Sequence, residues 1–346
     1  MTTPGRSTAP GARLFAVVAA SVALVFAVSG CSAPSLESPS SSALPDSCPA
    51  GAAVSTSDGL QSALDSASAG DVLVLSDGRY EGTFTIRSQG SSDAPITLCG
   101  GAAAVLDGGS VDSGYTLHLD GASNWRLEGF SVTGGQKGVM LDASSHNELT
   151  GLAVSAVGDE GIHLRTGSSD NLLAGLTVSN TGLRMPDFGE GVYIGSAEGN
   201  WCDLTACAPD ASDRNRVVGA TITATTAEAI DVKEGTTGGE LTGNTLDGST
   251  ITAADSLIDV KGSGWQVTGT TGTASPGDGA QVHVIVEGSG SANVFSGNTF
   301  AVAADGYAVQ LAGDARTAGN VVSCDNVATV DGAAEPAFVT NISCTG

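Results

Sequence analysis

Glu228-Ala-Ile-Asp-Val-Lys233 and Leu257-Ile-Asp-Val-Lys261 are two copies of one short pattern, their lysines 28 residues apart. In each copy Ile and Val alternate with Asp and Lys, the two-residue period of a β-strand with one apolar and one polar face. The chain holds three lysines, and two of them fall at the same place in these copies. Stacked as consecutive coils of one solenoid, Lys233 lies over Lys261 and Asp231 over Asp259, about 4.8 Å apart.

The same pattern recurs on both sides. Coils open at Tyr115-Thr-Leu-His-Leu, Gly138-Val-Met-Leu-Asp, Gly161-Ile-His-Leu-Arg and Gly191-Val-Tyr-Ile-Gly, and later at Gln281-Val-His-Val-Ile and Ala308-Val-Gln-Leu-Ala. A second signature follows each strand: Asn, an apolar residue, then Gly, as in Asn124…Leu127…Gly129, Asn147…Leu149…Gly151, Asn171…Leu173…Gly175, Asn215…Val217…Gly219 and Asn293…Phe295…Gly297. Asn and Gly both tolerate the left-handed backbone, and a repeated Asn can bond to its copy in the next coil. Coils of roughly 23–38 residues with short alternating strands and glycine turns predict an all-β, right-handed parallel β-helix. Upstream, residues 56–69 carry the helical stripe Leu60, Ala63, Leu64 and Ala67, followed by strands at 71–75, 83–86 and 94–98. A helix there would cap the open solenoid end.

The ends read differently. Arg6 and Arg13 precede the apolar run Leu14–Val28, and Val28-Ser29-Gly30-Cys31 resembles a bacterial lipobox. Residues 1–31 are therefore expected to be a lipoprotein signal ending at a lipidated Cys31, residues 32–47 a Ser/Pro-rich spacer, and 48–346 the β-helix domain. Such a protein sits outside the cytoplasm, reaching the membrane only through its lipid. Loss of residues 1–30 leaves 37 acidic against 11 basic residues, a net charge of −26. That surface excludes nucleic acid and anionic membrane as partners and favours a monomer. Six further cysteines outside the cell imply disulfides, with proximity favouring Cys202–Cys207 and Cys324–Cys344 and leaving Cys48–Cys99.

Aligning the strands gives an outward column of His118, Met140, His163, Tyr193, Asp231, Asp259, His283 and Gln310. Two residues on runs a second column: Asp120, Asp142, Arg165, Gly195, Lys233, Lys261, Ile285 and Ala312. Glu160, Glu190 and Glu228 stand just before three consecutive strands. Two long insertions, 182–189 with Arg184 and 196–215 with Trp201, flank this strip, where inserted loops line binding grooves. Phe188, Tyr193 and Trp201 offer flat faces to sugar rings, with packing under its own loop the alternative for Trp201; Asp203, Asp210 and Asp213 read as solvated loop residues, with a structural Ca²⁺ site the alternative.

Two ammonium groups about 5 Å apart repel by roughly 3 kcal/mol at an effective dielectric of 20. The expectation is a moderately lowered lysine pKa, which suits a general base. Carboxylates on adjacent coils could hold Ca²⁺. Cation, base and departing 4-linked sugar are together the parts of a β-elimination on a uronate polymer.

Asp71-Val-Leu-Val-Leu75, Gly78-Arg-Tyr-Glu-Gly82 and Ala94-Pro-Ile-Thr-Leu98 resemble the opening of β-helical polysaccharide lyases of the pectate lyase, alginate lyase and chondroitinase B type. Glu228-Ala-Ile-Asp-Val-Lys233 resembles the Glu-x-Ile-x-x-Lys segment of the alginate lyase and chondroitinase B group. The resemblance implies Glu228 as a Ca²⁺ ligand, with Glu190 one coil back and Glu160 beyond it, and Lys233 as proton abstractor. That group has an arginine on the following coil where this chain has Lys261. Lys261, Arg165 and His163 complete the catalytic candidates, and Tyr193, Asp231, Asp259, His283, Arg184 and Trp201 the substrate-binding ones. The expected activity is a lyase on an acidic polysaccharide. Three alternatives stay open: a glycoside hydrolase using Asp231/Asp259 or Glu190/Glu228, a uronate epimerase, and a glycan-binding solenoid without chemistry.

Overall fold

The computed structural model describes residues 48–335 and 338–346; the signal segment, Cys31 and the 32–47 spacer lie outside the described residues. Among the described residues no helix is long and apolar enough to cross a membrane.

The chain winds into a parallel β-solenoid. Successive coils feed three sheets of eleven, nine and eleven strands. Strands within the three sheets pair in parallel, except that Val327–Val330 closes against Ala333–Ala334 antiparallel; outside the strands, Ser91 and Ala94 form an antiparallel bridge. The nine-stranded sheet carries the polar strip. In order it holds Phe84–Ile86, Tyr115–Asp120, Lys137–Asp142, Ile162–Arg165, Val192–Ile194, Ile230–Val232, Ser256–Val260, Asp278–Val282 and Val309–Leu311. Alternation turns one side of each strand inward, so Leu141, Leu164, Ile194, Val232 and Val260 form part of one continuous apolar column.

Small and large residues trade places at the position three residues upstream in each coil. A Cβ on Gly161 would stand 2.5 Å from Val178 Cγ1, and one on Gly191 2.4 Å from Ile222 Cγ2, so neighbouring sheets close over bare backbone there. Two coils on, Leu257 fills the equivalent place, and Gly272 on the facing sheet makes room: a Cβ there would meet Leu257 Cδ1 at 2.3 Å.

The asparagine ladder forms. Asn147 N donates to Asn171 Oδ1 (2.9 Å) and Asn171 N to Asn215 Oδ1 (3.0 Å), all three fully or almost fully buried. Asn124 is not a rung: Trp125 takes that place and donates its N–H to Asn147 Oδ1 at 2.9 Å. Trp265 likewise replaces an asparagine, and Gly239 is bare because a Cβ would lie 2.2 Å from the Trp265 ring.

The expected helix spans Ser57–Ser66, with Thr56 Oγ1 accepting from Gly59 N at 3.1 Å and Leu60 and Leu64 in the core. Three disulfides join the expected partners, Cys48–Cys99, Cys202–Cys207 and Cys324–Cys344.

Candidate active site

Strand register sets the site. Met140, His163, Tyr193, Asp231 and Asp259 stack in consecutive coils. The next member is Gln281, not His283, because Asp259 pairs with Gln281. The expected alignment of that coil was two residues out: Asp278-Gly-Ala-Gln-Val is the strand, and the apolar look of Val282 and Val284 hid it. His283 N donates to Val260 O (3.1 Å), as Lys261 N does to Val232 O (2.7 Å) and Lys233 N to Ile194 O (2.8 Å). His283 therefore continues the lysine column.

Opposite charges interleave across these rungs. Lys233 Nζ lies 2.7 Å from Asp231 Oδ2; Lys261 Nζ lies 2.9 Å from Asp231 Oδ1 and 2.6 Å from Asp259 Oδ2; His283 Nδ1 lies 2.9 Å from Asp259 Oδ1. This overturns the expected lowering of the lysine pKa. Burial works against each ammonium, yet Asp231 outweighs it and both pKa values move upward, Asp259 helping at Lys261. Mutual repulsion is the smaller effect because an aspartate stands between the lysines. The hydrogen bond and charge of Asp259 likewise raise His283 against partial burial.

Tyr193 is half-buried beside this chain of charges. Lys233 Nζ sits 4.9 Å above its ring centre, and His163 meets it edge-on at 4.4 Å. Burial, then the charges of Asp231 and Glu190, hold the phenol protonated well above its ordinary range.

The third lysine, overlooked in the sequence, belongs here too. Gly138 N, Gly161 N and Gly191 N donate to the carbonyls of Glu160, Glu190 and Glu228, which puts Lys137 and these three glutamates at one position of four consecutive coils. The signal was present in the matching Lys137-Gly-Val, Glu160-Gly-Ile and Glu190-Gly-Val segments. Lys137 Nζ lies 2.5 Å from both Glu160 oxygens and 3.3 Å from His163 Nδ1. Burial opposes ionisation of Glu160, but its neighbours pull its pKa down to about 2, with Lys137 bonding to both of its oxygens. Burial, then Lys137, push the His163 pKa down.

Glu160 lies outside the acidic group placed to hold a metal, and Asp231 takes its place among the candidate ligands. Among the described residues, Glu190, Glu228 and Asp231 form the one acidic group placed to hold a metal, their ligand oxygens within 4.8 Å of one another. Glu190 is 4% exposed, and its Oε2 has no hydrogen-bond partner. Burial, then Asp231, raise Glu190 well above the carboxylate range and Glu228 to about 7. An orphaned oxygen among three carboxyl groups fits a hard, oxygen-seeking cation such as Ca²⁺.

Glu190, together with Lys137, Glu160 and His163, faces a groove of about 570 Å³ bounded by Arg165, Arg184, Phe188, Tyr193 and Lys233. Arg165 is anchored by Asp142 (2.7 Å) and Arg184 by Asp159 (3.0 Å). Phe188 is 46% exposed at the rim. Trp201, expected as a sugar platform, is 8% exposed, and its indole N–H donates to Ser196 O at 2.9 Å; it packs under its own loop. Asp210, expected in solvent, is fully buried and accepts from Thr166 N, Gly167 N, Ser196 Oγ and Ser212 Oγ. A larger hollow of about 670 Å³ lies on another sheet, where Arg126 and Arg214 pair with Glu148 and Asp170, and it contains none of the lysines.

No family model and no curated protein matches the sequence. Among solved structures, the alginate lyase from Paenibacillus sp. str. FPU-7 is 37% identical, with a TM-score of 0.75 over 80% of this chain and 94% of that one. Pectate lyase Pel9A (16% identical, TM-score 0.56, 79% of this chain and 75% of that one) shares the fold. So does the enzymatically active domain of tailspike protein 2 of bacteriophage CBA120 (11%, TM-score 0.52, 79% and 40%). On this identity and coverage, the chain belongs to the family of β-helical polysaccharide lyases represented by the Paenibacillus alginate lyase.

Proposed function

We propose that the protein cleaves a uronate-containing polysaccharide by β-elimination, with alginate the first substrate to try. The observation that carries this is the pairing of Lys233 with Tyr193 on the groove floor, in a chain 37% identical to an alginate lyase. In this reading Lys233, as free amine, takes the proton α to the uronate carboxylate. Tyr193, a phenol at every working pH, gives its proton to the departing glycosidic oxygen. One C–H and one C–O bond break, and a C=C bond forms in the sugar left behind. Lys261 and Arg165 face the carboxylate and stabilise the charge that builds on it.

In the resting groove Asp231 keeps Lys233 as the ammonium. The base form therefore grows with rising pH, and activity belongs to the alkaline side. Glu190, Glu228 and Asp231 are the residues that would hold Ca²⁺. The ion would supply a fixed positive charge beside the uronate carboxylate, acidifying its α-proton. Asp231 and Asp259 are both committed to lysine pairs, which disfavours them as the free carboxylate pair of a hydrolase. The enzyme would act as a monomer outside the cytoplasm, tethered through Cys31.

The test is a screen of uronic-acid polysaccharides, alginate first, with detection of absorbance from unsaturated ends. New reducing ends without that absorbance would make the protein a hydrolase. Binding with no product would make it a lectin-like solenoid.

A further inference from the structure

Lys137, Glu160 and His163 are 9%, 4% and 5% exposed, and no step above uses them. Their contacts leave little freedom. Gly195 O, 3.0 Å from His163 Nε2, can only accept, so Nε2 carries a proton. Lys137 Nζ, 3.3 Å from Nδ1, can only donate, so Nδ1 offers its lone pair. Glu160 Oε1 also lies 3.3 Å from Nδ1, but both its oxygens are held by Lys137 at 2.5 Å. The imidazole is thus fixed as the Nε2–H tautomer by an ammonium on the preceding coil.

What that N–H holds matters for the groove. Gly195 is the residue at which the 196–215 insertion leaves the sheet, with φ +88° and a Cβ position 3.2 Å from Lys233 Cβ. The same imidazole packs against the Tyr193 ring in an edge arrangement, ring centres 4.4 Å apart. We propose that Lys137 is a positioning residue: by setting the His163 tautomer it clamps the Gly195 turn and fixes Tyr193 against Lys233. This rests on the elimination reading for its kinetic consequence, though not for its structural one.

The side-chain ¹⁵N–¹H spectrum of the wild-type protein, with His163 assigned by its loss in His163→Gln, decides the first half. The neutral Nε2–H pattern is expected; an Nδ1–H tautomer or an imidazolium near neutral pH overturns the proposal. Lys137→Met then frees Nδ1 to take the proton and turn to Glu160. The expected result is a switch to Nδ1–H, with kcat lowered about ten- to hundredfold and KM changed by less than about threefold, the cost of a slightly misplaced reacting pair. Lys137→Arg, which keeps a cationic donor, should hold the tautomer and restore most of kcat. An unchanged kcat in Lys137→Met, a loss confined to KM, or a switched tautomer in Lys137→Arg each overturns it. Should Lys137→Met not fold, the wild-type and Lys137→Arg spectra still decide. A wild-type protein inactive on every polymer would sink the lyase reading and leave the tautomer result standing.

Discussion

Lys261 Nζ lies 2.9 Å from Asp231, an aspartate of the preceding coil, while also reaching Asp259 of its own coil at 2.6 Å. The polar strip is therefore cross-linked between rungs by charge as well as by backbone bonds. Asp231, 1% exposed, is shared by two ammonium groups and lies beside Glu190 and Glu228. It couples the base to the candidate cation site.

Lys233→Ala should abolish elimination while the fold survives. Asp231 keeps Lys261 as its partner, so no buried charge is stranded. Loss of a general base lowers the rate by about 10²–10⁴-fold, read as formation of unsaturated ends, with circular dichroism confirming the fold. A rate within about twofold of wild type would remove Lys233 from the base role.

Rate should also climb with pH. Because the Lys233 pKa is raised, neutral amine is scarce at neutral pH, and log kcat/KM should rise by about one per pH unit toward alkaline pH. A flat profile across that range would mean another group removes the proton.

Calcium should bind in a pH-dependent way visible in thermal stability. The Glu228 pKa is raised to about 7, first by burial and then by Asp231. A raised carboxyl pKa gives stability that is full below the unfolded value of about 4.3 and is lost as pH rises through the folded value. In chelator, Tm should therefore fall as pH climbs from about 5 to about 8. Ca²⁺ needs the ionised carboxylates, so it should raise Tm at about pH 8 and have little effect at about pH 5. The same shift in Glu190→Gln as in wild type would place the ion elsewhere.

Asp210→Ala should destabilise the protein by about 3 kcal/mol, because four donors lose a buried acceptor at once. Denaturant unfolding measures this. Asp210 ties Ser196 and Ser212 of the long insertion to the Thr166 turn, so proteolysis within 196–215 should accelerate in the variant.

Asn171→Ala should cost about 2 kcal/mol, since Asn147 N and Ser144 O lose their buried partner together. A variant as stable as wild type would show that water replaces the rung.

The solenoid was legible because a repeated Ile-x-Val and a repeated Asn each carry a period, and periods survive without coordinates. Asp231 over Asp259 and Lys233 over Lys261 came from that period alone. Lysine acidity did not follow, because it depends on which oxygen stands between two cations, and stacking order says nothing of that. Trp201 and Asp210 were misplaced for a related reason: an insertion has no period, and whether its tryptophan faces sugar or its own backbone is decided by loop packing. His283 slipped by two residues because Val-His-Val imitates a strand that ends one residue earlier, at Val282. Lys137 is readable in principle, as the cation one coil before Glu160, Glu190 and Glu228 in the same column.

Trp265 sits over the bare backbone of Gly239, and Leu257 beside Gly272. Each bulky side chain fills hollows left by particular glycines, Trp265 at Gly239 and Gly262 and Leu257 at Gly248 and Gly272, so these coils carry addresses. A repeat array of interchangeable units can grow or shrink by recombination. In this chain, deleting or duplicating a coil between residues 239 and 272 would set a protrusion against a protrusion, so change there should arrive by point substitution rather than by gain or loss of whole turns.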